Sequence, residues 1–131
     1  MAERMAHSSP RLLALSVFVL ITSVLVWNYS KVKTEARWLL SSRHYKSEVL
    51  SQPTPPTGEL KHIEWDGWGW GGQDTTVYLV FDPTNALSTA ASNRQPGKFA
   101  GIPCEVPNVH RLESEWYIVT FYTNQEWGRC D

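Results

Sequence analysis

From Leu12 to Tyr29 the chain reads LLALSVFVLITSVLVWNY, with no charged residue between Arg11 and Lys31. This run constrains the rest of the chain more than any other feature. At about 1.5 Å per helical residue it reaches about 27 Å, close to the roughly 30 Å hydrocarbon thickness of a bilayer. A helix that is apolar on every side has no face to offer water. We therefore read residues 12–29 as a transmembrane anchor rather than a buried helix. Trp27 and Tyr29 fall where interfacial aromatics gather. A cleaved leader needs small residues just beyond the apolar run, whereas Val26-Trp27-Asn28-Tyr29-Ser30 is bulky. The expectation is an uncleaved signal anchor behind a tail of residues 1–11, with the lipid bilayer as its partner through residues 12–29.

The 131 residues carry a formal net charge of −1, which argues against nucleic acid as a partner. That balance hides a split, with residues 1–57 at +4 and residues 58–131 at −5. The basic part suits a lipid surface. Orientation is pulled two ways. Lys31–Lys46 holds five basic residues, which the positive-inside rule would keep in the cytoplasm. The cysteines favour an oxidising compartment. We favour an extracytoplasmic domain, with the cytoplasmic side as the alternative.

Ser30–Gln52 lacks Gly and Pro and reads as a juxtamembrane helix, residues 30–52, with Val32, Ala36, Leu39 and Leu40 on one face. Pro53-Thr54-Pro55-Pro56-Thr57-Gly58 ends it and makes a Pro-rich linker, residues 53–58. Residues 59–131 form the remaining domain. Its strand candidates are Leu60–Trp65, the β-branched and aromatic Thr75–Phe81, Val106–Leu112 interrupted by Pro107, and Trp116–Tyr122, the last two joined as a hairpin around Ser114. Asp82-Pro83 offers an N-cap and a first helical residue for a short helix through Ala86, Leu87, Ala90 and Ala91. The fold class expected is α+β: an N-terminal transmembrane helix, then a small, mainly antiparallel four-stranded sheet with one short helix. A domain this size has a marginal core and gains from a covalent staple. Cys104 and Cys130 are the two cysteines, and a disulfide between them is the expected staple in an oxidising compartment.

The unusual segment is Trp65-Asp66-Gly67-Trp68-Gly69-Trp70-Gly71-Gly72-Gln73-Asp74, read as a loop. One reading folds its tryptophans over the sheet as a lid. The other exposes flat rings and polar neighbours to a ligand such as a sugar, with Asp66, Trp68, Trp70 and Asp74 as the candidate binding residues. No nucleophile elbow, phosphate loop or dinucleotide fingerprint is present. No catalytic residue, metal or cofactor is expected, although Glu64 and Asp66 would make an acid–base pair for a weak hydrolase if folding brought them into one cleft. His62 and His110 lack the close spacing of a zinc site. The function expected is a single-pass, non-enzymatic interaction protein of the bacterial cell envelope, with an unknown protein or an envelope glycan as partner. A carbohydrate-binding module is the first alternative.

Overall fold

A computed structural model describes residues 10–130. It has the expected α+β arrangement: a long apolar helix, an antiparallel sheet of four strands and a short helix. In chain order the elements are α1 (Pro10–Trp27), α2 (Tyr29–Ser51), β1 (Lys61–Trp70), β2 (Gln73–Phe81), α3 (Leu87–Asn93), β3 (Gly97–Phe99), β4 (Ile102–Val106), β5 (Asn108–Glu113), β6 (Trp116–Tyr122), β7 (Gln125–Glu126) and β8 (Arg129–Cys130). They divide into two compact units, one up to Leu40 and one from Ser41.

In the first unit α1 is long and apolar enough to cross a membrane, by length and composition. Its hydroxyls are satisfied within the helix. Ser16 Oγ donates to Leu13 O, Thr22 Oγ1 to Phe18 O and Ser23 Oγ to Val19 O, all at 2.8–2.9 Å. That back-bonding lets hydroxyl residues sit on a lipid-compatible surface. The helical ladder runs through Asn28, whose N–H donates to Val24 O at 3.0 Å and whose carbonyl accepts from Val32 N at 2.9 Å.

The second unit is built on the sheet, ordered β1-β2-β6-β5 with every neighbouring pair antiparallel. The strongest β formers, TTVYLVF and WYIVTFY, occupy the two central strands, where both sheet faces are buried and β-branched and aromatic side chains pack best. One face carries Val80, Val109, Tyr117, Val119 and Phe121 against Leu87 and Ala90 of α3 and against Ile102, Cys104 and Val106 of β4. The other face buries Val77, Leu79, Trp116 and Ile118. On that side, within the same unit, Tyr45 of α2 meets Trp65 at 4.5 Å between ring centroids, and the Lys46 ammonium lies 5.7 Å from the Trp116 ring while pairing with Glu113. Val49 is fully buried.

Two elements differ from the sequence expectation. The helix expected directly after Asp82 starts at Leu87, and its N-cap residue, Ala86, makes no side-chain cap. Asp82 still caps it, from five residues away. Its buried carboxylate accepts from Thr84 N at 3.0 Å and Thr84 Oγ1 at 2.6 Å through one oxygen, and from Leu87 N at 2.9 Å through the other. Pro83 opens the turn between them. Replacing Asp82 by alanine would strand these donors, and the expected loss is about 1–3 kcal/mol, read as a lower midpoint in urea unfolding. The strand expected over Val106–Leu112 is two strands, β4 and β5, broken at Pro107, which has no N–H to give a ladder. The pairs β3–β4 and β7–β8 lie outside the main sheet.

Polar groups in the core are matched. The Tyr117 hydroxyl donates to Asn85 Oδ1 at 2.9 Å, and that oxygen also accepts from Glu115 N at 2.8 Å. Buried tyrosine needs such a partner for its hydroxyl.

Candidate functional site

The Trp-Gly segment is strand and turn, not loop. β1 runs through it to Trp70 and pairs with β2 up to Trp70↔Gln73. The turn is Gly71-Gly72, at φ +63° and +84°. Two positive φ values are what a tight two-residue hairpin turn of the right twist demands, and glycine adopts them without a Cβ penalty. The result is a hairpin whose tip is held by its own ladder, with side chains alternating between the two faces.

Register then decides which residues share a face, because directly paired residues project to the same side. Trp68 pairs with Thr75 and Trp70 with Gln73, while Asp66 pairs with Val77. These belong to the face that carries Val77 and Leu79. Thr75 is also opposite Tyr122 of β6, so Trp68 and Tyr122 lie in one row across three strands. Trp70 is 91% exposed, Trp68 57% and Tyr122 45%. Trp65 is different. It sits at the bulge between Glu64 and Asp66, is only 4% exposed, and packs on Tyr45. The lid reading therefore describes Trp65, and the exposed reading describes Trp68 and Trp70.

The same register separates other candidates. Asp74 pairs with Gly69, so it projects to the opposite face from Asp66, Trp68 and Trp70. There it lines an open polar groove of about 400 Å³ with Thr76, Asn124, Gln125, Glu126 and Arg129. A Cβ on Gly69 would stand only 2.1 Å from Asp74 Oδ1, so glycine leaves that carboxylate its place. Glu64 pairs with Tyr78 and Asp66 with Val77, across the bulge. The two carboxylates lie on opposite faces and share no cleft. Asp66 Oδ1 accepts from Gly67 N at 3.0 Å.

His62 and His110 are likewise on opposite faces, opposite Val80 and Ile118 respectively. Among the described residues no group of three or more His, Cys, Asp and Glu side chains is arranged to hold a metal ion. Instead His62 stacks on Trp127, with centroids 3.6 Å apart and planes 20° from parallel, and its Nδ1 donates to Leu60 O at 2.8 Å. Tyr78 and Phe121 meet Trp127 edge-on. Comparison of the chain with protein-family models, with curated proteins and with solved structures finds no match.

Burial holds the His62 imidazole below its ordinary value of 6.5, outweighing the hydrogen bond to Leu60 and the nearby Glu59 charge. The unfolded chain therefore takes up this proton first as the pH falls. The contribution of neutral His62 is complete above 6.5 and declines as the pH drops below it, toward the lower folded value. Unfolding midpoints measured from about pH 7.5 to about pH 5 should fall, and His62→Phe should flatten part of that slope.

Signals for this site were partly present in the sequence. The Gly-Gly pair between two alternating segments is a hairpin cue. Tyr122 gave no separate signal, because its place beside Trp68 depends on the pairing of β2 with β6.

Proposed function

We propose that this chain is a single-pass membrane-anchored, non-enzymatic binding protein of the cell envelope, whose contact surface is the tip of the β1–β2 hairpin. The apolar α1 supports the anchor. Cys104 and Cys130, at disulfide distance with 2.08 Å between sulfurs, favour an oxidising, extracytoplasmic side.

One observation carries the reading. Two tryptophans, Trp68 and Trp70, stand mostly in water on one face of a strand whose backbone is held by a ladder and a Gly-Gly turn. Trp is the residue with most to gain from burial, and exposed aromatics on a rigid element are the anchors that binding surfaces use. Side chains that touch little of the fold cost little to remove.

The test is retention of the full-length chain, reconstituted in nanodiscs, on envelope material. The double variant Trp68→Ala/Trp70→Ala is expected to lose at least about tenfold in affinity, equivalent to about 1.4 kcal/mol, with an unchanged unfolding midpoint. Equal retention of both forms would remove the hairpin tip from the function.

A further inference from the structure

We propose that the ligand of the hairpin tip is a neutral glycan chain, with its sugar rings laid on Trp68 and Trp70. The inference rests on the hairpin tip being the contact surface, and adds what it contacts.

With Trp68 57% and Trp70 91% exposed, the pair offers on the order of 350 Å² of ring surface, taking about 250 Å² for a full indole. A stable protein partner needs about 800 Å² from each side. The patch suits a narrow ligand and is too small to hold a globular one alone.

The two indoles stand at positions i and i+2 of one strand, so their attachment points are roughly 6.7 Å apart on one face. A chain of six-membered rings has one ring for each indole along such a line. A pyranose presents C–H groups on its flat face and hydroxyls around its rim. Its flat face suits an indole, and its rim needs hydrogen-bonding groups beside the ring. Gln73 stands directly opposite Trp70, and Asp66 two positions before Trp68 on the same face. An amide and a carboxylate between them donate and accept, which matches hydroxyls, groups that do both.

Charge settles between neutral and anionic ligands. The second unit, from Ser41 on, is acidic overall at −4, and Asp66 lies on the face of the patch. Anionic lipid headgroups and phosphorylated polymers would be repelled. Stacking on a neutral ring is not.

The experiment uses the full-length chain in phosphatidylcholine nanodiscs. Cello-, chito- and malto-hexaose are titrated while tryptophan fluorescence is followed, with calorimetry as the second readout. The expected result is saturable binding of at least one of them, weakened at least tenfold in Trp68→Ala/Trp70→Ala. Affinity in Trp68→Phe/Trp70→Phe should stay within a few-fold, because the flat ring is kept. It should also be nearly independent of salt, since no charge is neutralised. If none of the three binds while envelope material still requires Trp68 and Trp70, the glycan inference is overturned and the hairpin-tip reading stands. If envelope material binds the alanine variant as well as the parent, the hairpin-tip reading itself fails. A third arm places brominated phosphatidylcholine in the same nanodiscs. Quenching that disappears in the alanine variant, without saccharide binding, would make the tip a lipid-docking surface and overturn the glycan inference.

Discussion

Replacing Phe121 by alanine is expected to destabilise the sheet domain by about 3–5 kcal/mol. Phe121 lies on β6, a central strand, and is fully buried. Its ring meets Tyr78 edge-on at 5.6 Å and Trp127 at 6.3 Å. It therefore joins the central sheet to the aromatic group that covers one end of the core. Removing it loses the transfer free energy of the ring and leaves a cavity on the sheet face packed against α3 and β4, which a sheet held by its ladders cannot close. A small domain has about 5–15 kcal/mol in total, so the variant should be largely unfolded in modest urea. Phe121→Leu keeps most of the volume and should cost under about 1.5 kcal/mol. Urea unfolding of the full-length chain in detergent, followed by tryptophan fluorescence, measures both. A loss below about 1 kcal/mol for the alanine variant would mean that this face is not the packed core.

Opening the bond between Cys104 and Cys130 should cost nearly as much. The two are 26 residues apart, and closing a loop of that length in the unfolded chain is worth about 3.5 kcal/mol in the chain-entropy account. Cys104 is fully buried within β4, in the same cluster as Phe121, whereas Cys130 lies on the exposed β8. The bond ties a two-residue strand, which has almost no ladder of its own, to the core. The β7–β8 turn also carries Trp127, the ring that covers His62. Reduction should lower the urea midpoint and raise the exposure of Trp127, giving a red-shifted emission before global unfolding. Cys104→Ala/Cys130→Ala separates loss of the bond from exposure to reductant, and should show the same shift. Equal midpoints in oxidised and reduced protein would overturn this. The same samples, weighed intact before and after reduction, report whether the two thiols are joined in the protein made by cells.

Much of the fold was legible because it rests on short-range chemistry. The apolar run between Arg11 and Lys31 has no arrangement in water that hides it, so a long apolar helix follows from composition. TTVYLVF and WYIVTFY contain almost nothing but strand formers, and Ser114 and Glu115 mark the turn before the second of them. Pro107 shows its effect wherever it stands, by withholding an N–H. The cysteines offered one partner each.

The site was less legible because a strand's faces depend on register. A helix or strand period tells which residues share a face only while the period is unbroken. The bulge at Trp65 breaks it, and sends Glu64 and Asp66 to opposite sides although they are two apart. Nearness in sequence puts Asp74 beside Trp68 and Trp70, whereas the turn at Gly71-Gly72 places it opposite Gly69 and away from both.

The sequence by itself determined the apolar helix and the two central strands, because these follow from side-chain volume, hydration and backbone freedom, whereas which tryptophans are exposed was decided by register. Only the tertiary structure decided that Trp65 is covered by Tyr45, that Tyr122 stands in the row of Trp68, and that Asp82 caps a helix five residues away. Each of these needs two segments to meet at a given register, and no local preference of either segment contains that information.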